Sequence, residues 1–226
     1  MDKGGFTGID PDQSARSGPG ISLAWSRPAC APRATLVLAH GAGAGMDSPF
    51  MLAIAEGLAR HGVQVVRFEF PYMAAARADG RRRPPDPRAR LEACWREVCA
   101  AVRAQVAGPL AIGGKSMGGR IASLLADELA VDALVCLGYP FHPVGKPERT
   151  RVEHLAALRT RTLIVQGERD PFGRRCEVAG YALASAVQLH WLADGDHDFK
   201  PTRRSGLSHE AHLAEAIARV AAFLEG

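Results

Sequence analysis

The chain has 226 residues, of which 23% are charged and 47% hydrophobic, a composition that is ordinary for a folded globular protein. This length is enough for one domain with a sizeable core, and no apolar stretch approaches the roughly 20 residues that a membrane helix requires. Residues 1–20 lack the apolar segment of a secretory signal and are rich in Gly, Asp, Ser and Pro, so we expect a flexible N-terminal tail followed by a single domain over residues 21–226.

The net charge of +4 is concentrated in one Pro-rich stretch, residues 77–90, which holds six arginines and two aspartates and is called the basic segment below. A nucleic-acid-binding protein usually spreads basic residues over a face, so no nucleic acid is expected as a partner. A solvated loop is the simplest interpretation, with attraction of anionic substrates or partners as the alternative. Five scattered cysteines, an odd number, indicate free thiols in a reducing compartment and predict a cytoplasmic location.

Short apolar runs alternate with helical patterns along the chain. Continuous apolar strands separated by helices predict a mostly parallel sheet covered on both faces, with sites at the carboxyl ends of the strands. The predicted strands are residues 36–39, 63–70, 110–113, 133–137, 162–166 and 187–191, the last an edge strand because it alternates, and 21–25 is expected to add an antiparallel strand. The predicted helices are residues 49–60, 91–106, the stretch after 118, 148–158 and 213–224.

A pentapeptide with a serine at its centre, Gly-Lys-Ser-Met-Gly at residues 114–118, lies between a predicted buried strand and a predicted helix. The helix is indicated by apolar residues on one face, Ile121, Leu124, Leu125 and Leu129. A Gly-x-Ser-x-Gly sequence in this context predicts a nucleophile elbow, a tight turn that exposes the serine hydroxyl at the top of the sheet. Glycine is expected at both ends because side chains there would clash with the turn. Ser116 is therefore the predicted nucleophile.

A serine hydroxyl needs a base that accepts its proton and an acid that orients the base. Asp170 and His197 each directly follow a predicted strand, and the chain order of serine, acid and histidine is the one that accompanies a nucleophile elbow. Glu168 and Asp196 are rival acids. Asp170 is preferred because it lies further into its loop, whereas Asp196 is adjacent in sequence to the base.

Other histidines offer a weaker alternative. His190 lies within a predicted strand, and His209 and His212, with Glu210 between them, lie near the start of the last helix. The pair of His209 and His212, with Glu210, suggests a metal site. We favour the interpretation that they are ordinary residues on the helix surface, because no third ligand occurs at useful spacing. No Cys-x-x-Cys pair occurs either, so we expect no metal and no cofactor.

Acyl transfer also needs donors for the developing oxyanion. One predicted donor is the backbone N–H of Met117, which follows the nucleophile. The second is expected in the small-residue loop at 39–45, where the N–H of Ala42 is preferred and that of Gly43 is the rival. The loop matches neither fingerprint of a phosphate-binding turn. His40 is expected to orient this loop, and Lys115 to project away from the serine hydroxyl.

The acyl pocket is only weakly indicated. Tyr139 and Phe141 follow the strand at 133–137 and are predicted to form a wall that contacts substrate, with packing inside the loop as an equally open interpretation. Too few residues separate this strand from the one at 162–166 for a large lid domain. We therefore expect a minimal lid or none.

Five motifs together resemble those of the small dienelactone-hydrolase-like α/β-hydrolases. They are His-Gly-Ala-Gly-Ala at 40–44, Gly-Gly-Lys-Ser-Met-Gly-Gly-Arg at 113–120, Gly-Tyr-Pro-Phe-His-Pro at 138–143, Gly-Glu-Arg-Asp at 167–170 and Gly-Asp-His-Asp-Phe at 195–199. The branch grouped with a testis-expressed protein and a regulatory subunit of the NSL histone acetyltransferase complex is the most similar, chiefly through 138–146. The similarity runs from about residue 34 to the carboxyl end.

The resemblance implies an α/β-hydrolase fold and a serine-hydrolase triad on Ser116, Asp170 and His197. Dienelactone hydrolases proper have a cysteine nucleophile where this chain has Ser116, which argues against lactone ring opening. We expect a serine hydrolase, of carboxylesterase or thioesterase type, that cleaves a small or short-chain ester or thioester through an acyl-enzyme. The alternative is a non-catalytic hydrolase-fold protein that serves as a binding or scaffold module. The expected partner is a small-molecule ester, with no membrane, and the oligomeric state stays open.

Overall fold

The computed structural model describes residues 14–17 and 21–226, and its centre is one sheet of eight strands in the order β1-β2-β4-β3-β5-β6-β7-β8. Within this order, the six strands β4, β3, β5, β6, β7 and β8 pair in parallel, whereas β1 and β2 are antiparallel to their neighbours. The strands are β1 Ser14–Ser17, β2 Ile21–Ser26, β3 Ala34–Ala39, β4 Val63–Phe68, β5 Leu110–Lys115, β6 Ala133–Leu137, β7 Thr162–Gly167 and β8 Val187–Leu192.

Helices cover both faces of this sheet, and each face has its own apolar cluster. One cluster joins α1 and α6 to the sheet, and the other joins α2, α3 and α4 to the opposite face. The helices are α1 Pro49–Arg60, α2 Pro71–Asp79, α3 Arg88–Arg103, α4 Met117–Ser123, α5 Arg175–Val178 and α6 His209–Glu225. Because the central strands are buried on both sides, only their ends and the loops that follow them remain to form a site.

Most of the predicted elements are confirmed. The parallel sheet, the antiparallel strand at the amino end and the edge position of β8 all agree with the sequence patterns. Helix α1 has the predicted bounds and begins with Pro49, a residue suited to the first turn because its missing N–H needs no partner there. Helix α6 is capped by the Ser208 side chain, which accepts a hydrogen bond from the Ala211 N–H at 3.0 Å.

The structure differs from the predicted elements at three places. Residues 148–158 form only a 3₁₀ turn at Glu153–Ala156, because the Arg151 N–H donates to the Phe141 carbonyl at 2.7 Å and holds the chain against the preceding loop. Helix α2 was not predicted from the sequence. Of the predicted flexible tail, residues 1–13 and 18–20 lie outside the described residues, but Ser14–Ser17 is hydrogen-bonded to β2 as a strand.

The connection between β6 and β7 decides how open the sheet edge is. Residues 138–161 contain the 3₁₀ turn and no α-helix, so no lid domain is inserted there. The five cysteines are unpaired, and Cys94, Cys99 and Cys136 are buried. Within residues 14–17 and 21–226, no helix combines the length and the apolarity needed to span a bilayer.

Candidate active site

Ser116 lies at the tight turn between β5 and α4, with a left-handed backbone (φ 50°, ψ −115°) that is strained for a residue with a side chain. The turn tolerates no side chain on either flank. A Cβ on Gly114 would lie 2.5 Å from the Ala39 carbonyl oxygen, and one on Gly118 would lie 2.6 Å from the same atom. These close backbone approaches explain the two glycines and present the serine hydroxyl at the carboxyl edge of the sheet.

The structure brings Ser116, His197 and Asp170 together in one row of hydrogen bonds. His197 Nε2 lies 3.0 Å from Ser116 Oγ, and His197 Nδ1 lies 2.7 Å from Asp170 Oδ2. The Asp170 carboxylate accepts a hydrogen bond from Nδ1, so the ring carries its hydrogen there and leaves Nε2 free to accept the serine hydrogen. The serine and histidine are partly exposed, whereas Asp170 is fully buried.

The buried carboxylate of Asp170 has a hydrogen-bond donor at each oxygen. Besides His197, Oδ2 accepts from Gln166 Nε2 at 2.9 Å, and Oδ1 accepts from the Phe172 N–H at 2.9 Å. Gln166 is itself fully buried and also bonds the backbone N–H and carbonyl of Tyr139. These donors offset the cost of burying a carboxylate and fix the face that it presents to the histidine. The sequence analysis did not identify Gln166.

Neither rival acid contacts the histidine. Glu168 pairs with Arg175 and accepts from the Asp194 N–H at 3.2 Å. Asp196 Oδ1 accepts from the backbone N–H groups of residues 198 and 200, at 2.8 and 2.9 Å, and so stabilises the turn that carries His197. Both carboxylates therefore shape the loops around the row of hydrogen bonds without joining it.

Lys115, the residue before the serine, points away from the hydroxyl as expected and reaches the histidine loop from the other side. Its Nζ donates to the His197 carbonyl oxygen at 2.6 Å and lies 3.4 Å from Asp198 Oδ1. Burial lowers the pKa of this ammonium, and the Asp198 carboxylate opposes that effect. Lys115 thereby ties the strand that carries the serine directly to the backbone of the histidine.

The first two histidines of α6 also hold this loop. His209 Nε2 donates to the Asp198 carbonyl oxygen at 3.0 Å, and His212 Nδ1 donates to the Phe199 carbonyl oxygen at 2.8 Å. The His212 side chain is buried. Their sequence pattern therefore reflects anchoring of the two residues that follow His197.

The loop after β3 borders the serine and is fixed by two side chains. A Cβ on Gly41 would lie 3.6 Å from Ser116 Cβ, which measures how closely this loop approaches. His40 is fully buried, donates from Nδ1 to the Gly41 carbonyl at 2.6 Å and accepts the Phe70 N–H at Nε2 at 3.1 Å. Burial lowers the pKa of His40, so the ring stays neutral and orients the loop, as the sequence suggested.

The predicted oxyanion donors lie on this loop and at the start of α4. The Met117 N–H belongs to the first residue of α4 and so has no acceptor within the helix. The Tyr72 hydroxyl lies 3.3 Å from the Gly41 carbonyl oxygen and 3.2 Å from that of Ala42. Because C=O and N–H point in opposite directions across a trans peptide, the N–H groups of Ala42 and Gly43 face away from Tyr72. Both remain candidates for the second donor.

Tyr139 and Phe141 do not form the predicted substrate wall. Both side chains are fully buried in the apolar cluster on the α3 and α4 face of the sheet. The Tyr139 hydroxyl donates to the Arg151 carbonyl oxygen at 3.0 Å, and the Phe141 ring leaves no room for a side chain at Gly173. The interpretation as loop packing is therefore the correct one for these aromatics. A half-buried aromatic does lie next to the site: the ring centroid of Phe172 is 4.5 Å from that of His197.

Most arginines of the basic segment are neutralised locally. Arg81 and Arg82 make no ion pair with the described residues, whereas the others pair as Arg77 with Asp47 and Glu69, Arg83 with Asp79, Arg88 with Glu92, and Arg90 with Asp86. The ends of the segment belong to α2 and α3, and the Pro-rich middle is a solvated loop.

The strand order, the left-handed serine after β5 and the acid and histidine loops after β7 and β8 define an α/β-hydrolase. The chain belongs to the family described as the alpha/beta hydrolase domain, which residues 32–225 match.

Solved structures with the same fold come from several bacteria. An α/β serine hydrolase without a lid from Xanthomonas campestris is 20% identical with a TM-score of 0.70, over 95% of this chain and 98% of that one. A dienelactone hydrolase from Anabaena variabilis is 20% identical with a TM-score of 0.71, over 93% and 94% of the two chains. An α/β serine hydrolase homologue from Coxiella burnetii is 16% identical with a TM-score of 0.67, over 97% and 98%. At these identities the similarity establishes the fold.

Proposed function

We propose that this chain is a serine hydrolase that cleaves a small or short-chain ester or thioester through an acyl-enzyme, with Ser116 as nucleophile, His197 as base and Asp170 as orienting acid. The observation that carries the proposal is the unbroken row from Ser116 Oγ to His197 Nε2 at 3.0 Å and from His197 Nδ1 to Asp170 Oδ2 at 2.7 Å. Distances of this size allow the base to accept a proton from the nucleophile.

In the first half-reaction, Ser116 Oγ attacks the substrate carbonyl carbon while its proton moves to His197 Nε2. The tetrahedral intermediate then expels the alcohol or thiol, which takes that proton from Nε2 and leaves an acyl group on Ser116. In the second half-reaction, a water molecule attacks the acyl carbon and gives its proton to the same nitrogen. The proton returns to Ser116 Oγ as the carboxylic acid leaves, so the enzyme is regenerated.

Asp170 supports both halves by holding the hydrogen of the imidazole on Nδ1 and by stabilising the imidazolium that forms in each. Its carboxylate is suited to this role because it is buried and held by Gln166 and the Phe172 N–H. The negative oxygen of the tetrahedral intermediate is stabilised by the Met117 N–H and by the N–H of Ala42 or Gly43, which face away from Tyr72.

The open edge of the sheet supports a small substrate. Residues 138–161 add no α-helical lid, so a long acyl chain would find little apolar cover. A soluble small-molecule ester is the partner that we propose, with a cytoplasmic location supported by the unpaired cysteines, three of them buried. The motif at 138–146 supports the grouping with the testis-expressed and NSL-subunit hydrolase-like proteins.

Hydrolysis of p-nitrophenyl esters of graded acyl length tests the proposal. We expect the wild-type protein to hydrolyse the short acyl chains best, and Ser116→Ala to lose this activity while it stays folded. Ser48→Ala is the matched control, because this serine precedes α1 and its side chain caps nothing. Hydrolysis by Ser116→Ala at the wild-type rate would rule out the assigned nucleophile, and folded wild type without activity on any ester would favour the scaffold alternative.

A further inference from the structure

A cavity outside the active site lies beside α4 and is lined chiefly by charged side chains. It encloses about 530 Å³, and three arginines border it: Arg120 from α4, and Arg149 and Arg151 from the loop after β6. Glu148 and Glu153 also line it, but both are exposed, and neither lies within ion-pair distance of these arginines. The cavity is called the arginine pocket below.

The guanidinium groups of the arginine pocket have no acceptors among residues 14–17 and 21–226. None of the three makes an ion pair or a side-chain hydrogen bond there, and Nε of Arg120 is buried without a partner in the same part of the chain. Several arginines elsewhere do pair with carboxylates, such as Arg96 with Glu128, whereas others, such as Arg81 and Arg82, do not pair with a described residue but lie in solvent. A buried donor without an acceptor costs free energy, so the pocket holds donor capacity that the protein itself does not satisfy.

The arginines of the pocket also repel one another. Burial lowers the pKa of Arg151 below its ordinary value, and the neighbouring charges of Arg120 and Arg149 lower it further. His154, which lies beside them, has its pKa lowered to about 4, by burial first and then by Arg120. It therefore remains neutral near pH 7 and adds no charge. A bound anion would relieve this repulsion.

Hydrogen bonds hold the backbone at Arg120 and Arg151 in place. The Arg151 N–H donates to the Phe141 carbonyl at 2.7 Å, and the Arg151 carbonyl accepts from the buried Tyr139 hydroxyl at 3.0 Å. The Arg120 N–H donates to the Ser116 carbonyl at 3.0 Å, which places Arg120 one helical turn beyond the nucleophile.

From this cavity, its unsatisfied donors and its hydrogen-bonded backbone, we propose that the arginine pocket binds an oxyanion group, a carboxylate or a phosphate, through Arg120, Arg149 and Arg151. A planar guanidinium group can donate two parallel hydrogen bonds to two oxygens of one carboxylate or phosphate, so arginines around one cavity suit such a group. The group is carried by the substrate or is a free anion. The proposal that the substrate carries the group rests on the proposed hydrolase function, whereas the binding of an oxyanion by the arginine pocket does not.

Calorimetric titration with inorganic phosphate at constant ionic strength tests for the site without using activity. We expect the wild-type protein to bind phosphate, and Arg151→Gln and Arg149→Gln each to weaken binding by about tenfold or more, since each loses a charged hydrogen bond. Arg82→Gln is the matched control, because it removes one unpaired arginine from the basic segment. It should bind as wild type does.

Three results would overturn the proposal: no phosphate binding by the wild type, unchanged binding by both pocket variants, or equal weakening by Arg82→Gln. Thermal unfolding without phosphate separates binding from folding. Arg149 is exposed, and its removal takes away one of three repelling charges. The unfolding temperature of Arg149→Gln should therefore be at or above that of the wild type. This variant keeps the test valid if Arg151→Gln fails to fold.

Matched esters then identify the source of the anion. Mono-p-nitrophenyl succinate and p-nitrophenyl butyrate differ by a carboxylate at the end of the acyl chain. If the substrate carries the group, the ratio of kcat/KM for the anionic ester over the neutral one falls about tenfold in Arg149→Gln. If the anion is free, that ratio is unchanged, and phosphate alters the rate on the neutral ester in the wild type but not in the variant.

Discussion

The substitution Gln166→Met probes a buried residue that holds the acid of the site in place. The Gln166 side chain is fully buried; its Nε2 lies 2.9 Å from Asp170 Oδ2, 3.2 Å from the Tyr139 carbonyl and 3.3 Å from the Gly173 carbonyl, and its Oε1 accepts the Tyr139 N–H at 2.7 Å. Methionine has a similar length but supplies none of these hydrogen bonds. The variant therefore leaves the Tyr139 N–H without an acceptor and removes one donor from Asp170.

Each buried polar group that loses its only partner costs roughly 1–3 kcal/mol, and a charged acceptor lies at the upper end of that range. Asp170 keeps two other donors, so we expect Gln166→Met to lower the free energy of unfolding by about 3 kcal/mol in total. A less firmly held carboxylate orients His197 less well, and we expect kcat on a p-nitrophenyl ester to fall about tenfold, which corresponds to about 1.4 kcal/mol.

Urea unfolding and steady-state kinetics measure both effects. The matched control is Gln64→Met, since Gln64 is another buried strand glutamine and makes one hydrogen bond, to Thr35 Oγ1 at 3.3 Å. The control should lose about 1 kcal/mol or less and keep its kcat. If Gln166→Met is as stable and as active as the wild type, or if Gln64→Met suffers equally, the positioning role of Gln166 is refuted.

Asp170→Asn should stay folded and lower kcat by about 10⁴-fold, as loss of the orienting acid does in serine proteases, whereas Glu168→Gln should keep most of its activity; the reverse order in one assay would reject the assignment of the acid. Lys115→Met should lower kcat about tenfold with little change in KM, because it frees the His197 carbonyl from its anchor, and an unchanged kcat would argue against that role. Gly118→Ala should lower the unfolding temperature, since its Cβ meets backbone at 2.6 Å, while Gly43→Ala, with nothing within 4 Å, should not; equal melting of the two would contradict the tight turn.

The sequence was sufficient to predict the row of Ser116, His197 and Asp170 because each residue has a local signal. The serine lies between two glycines after an apolar run, and the other two each follow a strand at the edge where parallel strands end. Such signals depend on neighbours in sequence, and the parallel topology then brings the three loops together.

One contact that the sequence does not indicate joins residues that are far apart in the chain. Lys115 bonds a carbonyl that lies 82 residues further along the chain, and no periodicity marks that contact. For Tyr139 and Phe141 the sequence leaves a substrate wall and packing inside the loop equally open, because aromatics in a loop near a nucleophile carry no sign of which way they face. In the structure, tertiary packing directs both side chains into the core.

Helix α2 illustrates a different limit. It is rich in alanine and buries only Tyr72 fully, so hydrophobic periodicity gives almost no signal. Its ends are marked, however: it begins with Pro71, and its last residue is followed by Gly80, which has the left-handed conformation (φ 69°) that glycine adopts readily. Attention to these end signals, rather than to the charge of the basic segment, would have found the helix.

Labelling by a fluorophosphonate, followed by mass spectrometry of the digested protein, tests the central claim most directly, because this reagent modifies a serine only when the serine is activated as a nucleophile. The account predicts one adduct on Ser116, absent from Ser116→Ala and strongly reduced in a His197→Ala variant that still folds. No adduct on the folded wild-type protein, or an adduct on another serine that persists in Ser116→Ala, would contradict it.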